Sequence, residues 1–401
     1  MRIQTTDVLF VVGAGASVPA GIPPYRRWKD HAKEQAQSAN LRDLWGIWRA
    51  GFPRHDIEEL VDGLRLSKEL GWVPQDTHLG KRFRQPYDDT HYKSQPLRAI
   101  PYDRVERQIR QFIIAQLCRA KPGGYYDSLA SQLVELCSVC DQRVTVLSLN
   151  WDTLLEDALI RSGAGYRHLG TGDYVGESIG KYEIQLVKPH GSLGVGLSST
   201  GVFSYHSMYE WHGGEGPGVS PLFALPGTSK RDELDGMTAE YAKHSWEAVA
   251  TTLNHAGAIV SVGYSWTGTD RELLLFAKHR YAPPASMAFY NGPDAAAVMR
   301  GCAALGIPEH DSSTVDARAG IEELVAFGVQ RRAMTLLLAS GHKAIKTPRA
   351  EDWILRNSLV VNREDTPSQW TWTDLEREAQ AKREARSAKR KARSAHRSRF
   401  R

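Results

Sequence analysis

The stretch Asp7-Val-Leu-Phe-Val-Val-Gly13-Ala14-Gly15-Ala16-Ser17-Val18-Pro-Ala-Gly21-Ile-Pro23-Pro-Tyr25-Arg26 decides the fold. A short β-branched apolar run that stops at glycine reads as a buried strand, and the glycines behind it read as the turn into a phosphate-binding loop. Gly13 and Gly15 leave room for the backbone to approach a pyrophosphate, and amides opening a following helix can donate to its oxygens. A dehydrogenase fingerprint asks for a third glycine at position 18 and an acidic residue closing a second strand about 20 residues later. Position 18 is Val18, and that acidic residue is absent. The chain continues instead as Gly21-Ile-Pro23-Pro-Tyr25-Arg26, and a turn delivering an aromatic and an arginine suits a lid over a dinucleotide.

Outward from this stretch, similar apolar runs recur at Val144–Leu149, Ile184–Lys188, Ala258–Gly263 and Ser286–Tyr290. Each is short and without polar alternation, as strands covered on both faces are. Helical patterns fall at Val105–Cys118, Ser128–Cys140, Thr153–Ile160, Tyr241–Asn254 and Asp270–Lys278. The alternation predicts an α/β fold, a doubly wound, mainly parallel Rossmann-like sheet. Residues 28–142 exceed what a βαβ crossover of a dozen or more residues needs. They are expected to form a largely helical inserted subdomain, with long loops within His55–Ser94. The sheet domain then comprises 1–27 and 143–310, followed by a C-terminal α/β or helical extension over 311–372 and a basic tail over 373–401. Gly191–Gly227, rich in glycine and scattered aromatics, reads as a loop or a β excursion beside the site.

With 401 residues, 41% of them hydrophobic, the chain can bury a full core, which excludes a disordered protein. No run approaches the roughly 20 apolar residues of a membrane helix, and Val8–Val12 is too short for a secretory leader, so a cytoplasmic protein without a membrane role is expected. Residues 382–401 hold ten Lys/Arg and one Glu. This tail contributes +9 to a net charge of +5 and leaves −4 for the rest, so the folded body is slightly acidic. The tail reads either as solvated chain or as a nucleic-acid or partner contact. The four cysteines, Cys118, Cys137, Cys140 and Cys302, form no disulfide framework.

Gly13-Ala-Gly-Ala-Ser-Val-Pro-Ala-Gly-Ile-Pro-Pro-Tyr-Arg26 resembles the sirtuin superfamily pattern GAGxSxxxGIPxFR, with Tyr25 in the aromatic place and Pro24 where an aspartate is common. Leu149-Asn150-Trp-Asp152-Thr-Leu-Leu-Glu156 resembles the family's N-x-D motif, and Lys188-Pro-His190-Gly-Ser192 its HG motif. Gly263-Tyr-Ser265 followed by Asp270 resembles the nucleotide-contacting G-x-S loop, and Asn291 resembles the asparagine near the adenosine ribose. The resemblance implies NAD as substrate and Asn150, Asp152 and His190 as the catalytic set. It implies Gly13, Ala14, Gly15, Ser17, Gly21, Pro23, Tyr25, Arg26, Gly263, Ser265, Asp270 and Asn291 as the binding set. Protein-deacylating sirtuins carry two cysteine pairs on zinc. This chain has the single pair Cys137-x-x-Cys140, so no zinc is expected.

The bland readings stand beside these. His190 alone reads as a structural residue, Asn150 as a turn residue, Asp152 as a helix cap ahead of Leu154, Ser17 as a cap, and Asp270 as the cap of the helix it opens. The resemblance implies an NAD hydrolase of the zinc-free branch, similar to bacterial antiphage-defence effectors. It further implies a homo-oligomer and a partner such as a HerA-type ATPase. An NAD-dependent protein deacylase and a non-catalytic NAD or ADP-ribose-binding assembly module are the alternatives.

Overall fold

A computed structural model describes residues 6–306, apart from 24, 36–40, 42–43, 46–47, 49–55, 70–101, 123, 141, 178–182, 215–218, 228–229, 268–269, 280–285 and 291–294. Asn291, the 311–372 extension and the basic tail lie outside the described residues, as do the side chains of Tyr25 and Arg26.

Strand β1 (Val8–Val12) is buried along its whole length. Its side chains alternate between two cores: Val8, Phe10 and Val12 enter one, Leu9 and Val11 the other. That two-sided burial is why the run is continuously apolar. β1 pairs in parallel with β2 (Val144–Ser148) on one side and β9 (Ala258–Val262) on the other. The sheet has seven strands in the order β10-β9-β1-β2-β5-β3-β4, where β10 is Ser286–Tyr290, β5 Ile184–Val187, β3 Tyr166–His168 and β4 Tyr174–Val175. All pairs are parallel except the β3–β4 edge. This is a Rossmann-like α/β fold. The chain steps from β1 to β2 and β5, then returns to β9 on the opposite side, placing a topological switch at β1.

Helices α1 (Tyr25–Gln35), α2 (Ile57–Glu69), α3 (Tyr102–Leu117), α4 (Tyr125–Ser138) and α5 (Leu154–Arg161) cover one face. Trp28, Phe112, Leu136 and Leu154 bury there against Phe10 and Val146. A short helix, α6 (Lys230–Met237), leads into the second layer. There α7 (Ala239–His255), α8 (Arg271–Lys278) and α9 (Ala295–Leu305) cover the other face, with Trp246, Val249, Leu253 and Leu273 on Leu9 and Ile259. The covering helices present apolar stripes at helical spacing, as Leu154, Leu155, Ala158 and Leu159 do on α5. Thus the described helices of residues 28–142 share one of the sheet's two covering layers with α5.

The Gly191–Gly227 region, left open between loop and strand, contains a three-stranded antiparallel sheet in the order β7-β6-β8: β6 Gly191–Leu197, β7 Phe203–Tyr205 and β8 Ser220–Phe223. Within His55–Ser94, the segment expected to include long loops, residues 57–69 form helix α2, whose Ile57, Leu60, Val61 and Leu64 face the core. The loop after Gly13 holds a single 3₁₀ turn, Ala14–Ser17, and the next α-helix begins at Tyr25.

Candidate active site

Four segments singled out in the sequence lie beyond the carboxyl ends of four adjacent parallel strands, β9, β1, β2 and β5. That is where open α/β sheets bind ligands.

The loop after β1 interlocks with the loop after β9. The Gly13 amide donates to the Val262 carbonyl and the Gly15 amide to the Gly263 carbonyl, both at 2.9 Å. A Cβ on Gly13 would stand 2.7 Å from Tyr264 Cα, one on Gly15 2.8 Å from the Gly263 carbonyl, and one on Gly263 2.2 Å from the Ala16 nitrogen. Gly263 also has φ +62°. The space left by these glycines is therefore filled by protein backbone. Gly21, at φ +93°, makes the next turn, and the Pro23 carbonyl accepts from Trp28 Nε1 at 2.7 Å. Ser265 is half-buried, and its carbonyl accepts from Arg300 Nε. Next to it Trp266 is buried at φ +53°, a conformation rare for a bulky residue.

Behind β2 the chain brings three candidate residues together. Asn150 Nδ2 donates to the Gly13 carbonyl and to Ser17 Oγ, each at 3.0 Å. Ser17 Oγ donates to Asp152 Oδ2 at 2.7 Å and lies 2.9 Å from the Tyr126 hydroxyl. Asp152 Oδ1 accepts the Leu154 amide at 3.2 Å. The capping reading of Asp152 thus coexists with a buried network, though Thr153 holds the cap position itself. Asn150 Oδ1 has no hydrogen bond among the described residues, so the amide presents an acceptor.

His190 sits in the turn from β5 to β6, where the two sheets join. Gly191 makes that turn at φ +80°, and a Cβ there would meet the Leu222 carbonyl at 2.2 Å. The His190 carbonyl accepts the Ala224 amide, and the Leu193 amide reaches the Trp151 carbonyl at 2.8 Å, joining the β2 and β5 loops. The imidazole is 2% exposed and hydrogen-bonds the Leu149 backbone. Its Nε2 lies 3.4 Å from Asp270 Oδ1, with no hydrogen bond to the described residues. Burial, reinforced by the Lys230 charge, pushes its pKa down to about 4 against the pull of Asp270, so the ring is neutral near pH 7.

Asp270 occupies the N-cap position of α8, but its carboxylate does not bond the helix amides. Oδ1 takes Lys230 Nζ at 2.8 Å, and Lys230 stands 3.5 Å from Glu58 on α2. Burial opposes ionisation of Asp270, yet Lys230 and His190 outweigh it and hold the carboxyl below its ordinary range. A second buried pair, Lys188 with Glu156 Oε1 at 2.5 Å, lies beneath the site, and Lys188 Nζ also bonds the Asp152 carbonyl. Residue-by-residue reading missed both pairs. Lys188 and Glu156 lie inside the quoted motifs, where a lysine directly behind an apolar strand was a usable signal. Lys230 and Glu58 are far from every motif and carry no local sign.

Cys137 and Cys140 are packed in the core of the sheet's helical layer, and burial raises the Cys140 thiol far above its ordinary range. Among the described residues no group of three or more His, Cys, Asp or Glu is placed to hold a metal ion. No described helix is long and apolar enough to cross a membrane.

The fold and these residues define a Rossmann-like α/β protein with a polar, largely buried cluster at its strand ends. No family model and no curated protein matches the chain. Among solved structures it is similar to a triply substituted Sir2 homologue in complex with 2'-O-acetyl ADP ribose, at 16% identity and a TM-score of 0.38 over 86% of this chain and 95% of that one. It is similar to a singly substituted Sir2 homologue in complex with ADP ribose, at 14% and 0.37 over 85% and 96%. It is also similar to Sir2Tm bound to a propionylated peptide, at 11% and 0.34 over 81% and 92%. Identities and TM-scores this low assign the chain neither a ligand nor an activity.

Proposed function

We propose that this chain hydrolyses NAD at the nicotinamide–ribose bond, releasing nicotinamide and ADP-ribose. The observation that carries the reading is the convergence of Asn150, Asp152 and Ser17 in one hydrogen-bonded group, with His190 joined to it through Leu149, at the ends of β1, β2 and β5. The motif resemblance names the chemistry, and the placement makes it physically coherent.

Nicotinamide leaves a cationic pyridinium as a neutral molecule, so the departure needs no general acid. The demand is to stabilise an oxocarbenium-like ribose and to direct water onto it. Asn150 Oδ1 accepts from a ribose hydroxyl or the water, because its amide protons are already committed to Gly13 and Ser17. Asp152 has lone pairs left for the carboxamide amino group after its bonds to Ser17 and Leu154. The C–N bond breaks with its electron pair going to nicotinamide. The new C–O bond comes from water, and neutral His190 takes the proton and returns it to solvent. Since Nε2 is buried, that transfer requires the ring or Asp270 to yield when ligand enters.

The biological setting we propose is a bacterial antiphage-defence effector that depletes NAD once triggered. It acts as a homo-oligomer, with a HerA-type ATPase as a partner and the basic tail as a nucleic-acid contact. Chain size, the motif resemblance and the charge of the tail support this part. The test is incubation of the purified chain with NAD, alone, in each oligomeric fraction and with the product of the neighbouring gene. Nicotinamide and ADP-ribose should appear, and Asn150→Ala and His190→Ala should each abolish them. Intact NAD throughout overturns the proposal. Consumption only with acylated peptide makes the chain a deacylase, and tight binding without turnover makes it a non-catalytic module.

A further inference from the structure

The His190 ring hydrogen-bonds the Leu149 backbone. Its Nε2 lies 3.4 Å from the Asp270 carboxylate without a hydrogen bond to it. A neutral ring gains little from that carboxylate, and the contact becomes favourable once the ring carries a positive charge. Charged Lys230, 2.8 Å from the same carboxylate oxygen, offsets the anion in the resting state. The other groups packed around the ring fit this balance. Tyr264, from the loop after β9, shares Asp270; Glu58, from α2, faces Lys230; and Trp246, from α7, places its ring 6.3 Å from the imidazole. On the histidine's own turn, Lys188 points away to Glu156.

We propose that Asp270 and Lys230 are positioning residues for His190: the carboxylate becomes the counter-ion of its imidazolium, while the ammonium holds that carboxylate in place and offsets its charge beforehand. This moves Asp270 from the nucleotide contact implied by the motif to the histidine, and it adds Lys230, which no motif marks. It rests on His190 being the proton acceptor of the reaction. Through Glu58 the arrangement also ties the protonation of the site to the helical layer.

The test is the titration of His190 in the full chain, monitored by NMR of ring-labelled histidine and assigned with His190→Ala. It needs no turnover. Lys230→Met leaves Asp270 uncompensated and should raise the His190 midpoint by about 1–3 pH units. Adding Asp270→Asn to that variant should cancel the rise, and Lys230→Arg should retain the wild-type midpoint. The acidic limb of kcat for NAD should move with the titration while KM does not. If Lys230→Met does not fold, Lys230→Gln replaces it with the same expected signs. An unmoved midpoint, or a rise that persists without Asp270, overturns the proposal. A chain that spares NAD yet shows these shifts refutes the hydrolase reading alone; one that consumes NAD without them refutes only the positioning role.

Discussion

At the scale of single residues, Ser17 connects the two candidate loops. Its hydroxyl contacts Asn150, Asp152 and Tyr126 inside a buried volume. Ser17→Ala leaves Asp152 Oδ2 without this donor and should cost about 1–3 kcal/mol, read by chemical denaturation. NAD cleavage should fall with it, because Asn150 loses one of its two anchors. A fully stable variant would show that water replaces the hydroxyl. The serine was legible as a motif member and as a bland cap. Its three-way bridge was not, since the partners lie 109 to 135 residues away in sequence.

At the scale of elements, the buried Lys188–Glu156 pair fastens the β5 turn to the start of α5, and the lysine also holds the Asp152 carbonyl. Desolvation drives Glu156 upward despite the lysine, so removing the lysine alone leaves a costly buried acid. Lys188→Met should destabilise the protein by about 3–5 kcal/mol, whereas Lys188→Met with Glu156→Leu should recover most of that loss. A double-mutant cycle in denaturant decides it, and an additive result removes the coupling. The loops after β1 and β9 form a second fastening. Gly263→Ala adds a Cβ 2.2 Å from the Ala16 nitrogen at positive φ and should cost about 1–3 kcal/mol or more. Thermal melting reads it, and an unchanged Tm would mean that the loops separate freely.

For the whole molecule, two buried histidines tie stability to acid. Burial, aided by the Lys188 charge, pushes His168 down to about 3, and burial with Lys230 holds His190 near 4, against an ordinary value of 6.5. The unfolded chain therefore binds protons that the native state refuses. Their contribution is fully present above pH 6.5 and is lost as pH falls through the native values. Denaturant midpoints should decline from pH 6.5 toward 4, and His168→Phe should flatten the decline; equal slopes would show that carboxylates dominate it. The uneven charge yields a further expectation. Truncation after Asp374 should remove any salt-sensitive nucleic-acid binding and leave NAD cleavage in place, since all the motif residues precede it. DNA binding that survives truncation would assign the contact to the body.

The sequence by itself determined the central strands and the segments at their ends. A two-faced strand must be continuously apolar, and a glycine turn must come after it where backbone meets backbone. Short elements escaped: β3 and β4 span three and two residues, too few for a periodicity to show. Helix α2 was hidden in a polar stretch because only one of its faces is apolar. Tertiary structure alone decided that Gly13 and Gly15 close against Gly263, that the Asp270 carboxylate faces His190, and that Lys230 and Lys188 are buried charges beneath the site. These are pairings across the sheet and between its covering layers. Whether a lysine is a solvated surface residue or a buried counter-ion depends on which carboxylate the fold places beside it, and no local pattern records that distance.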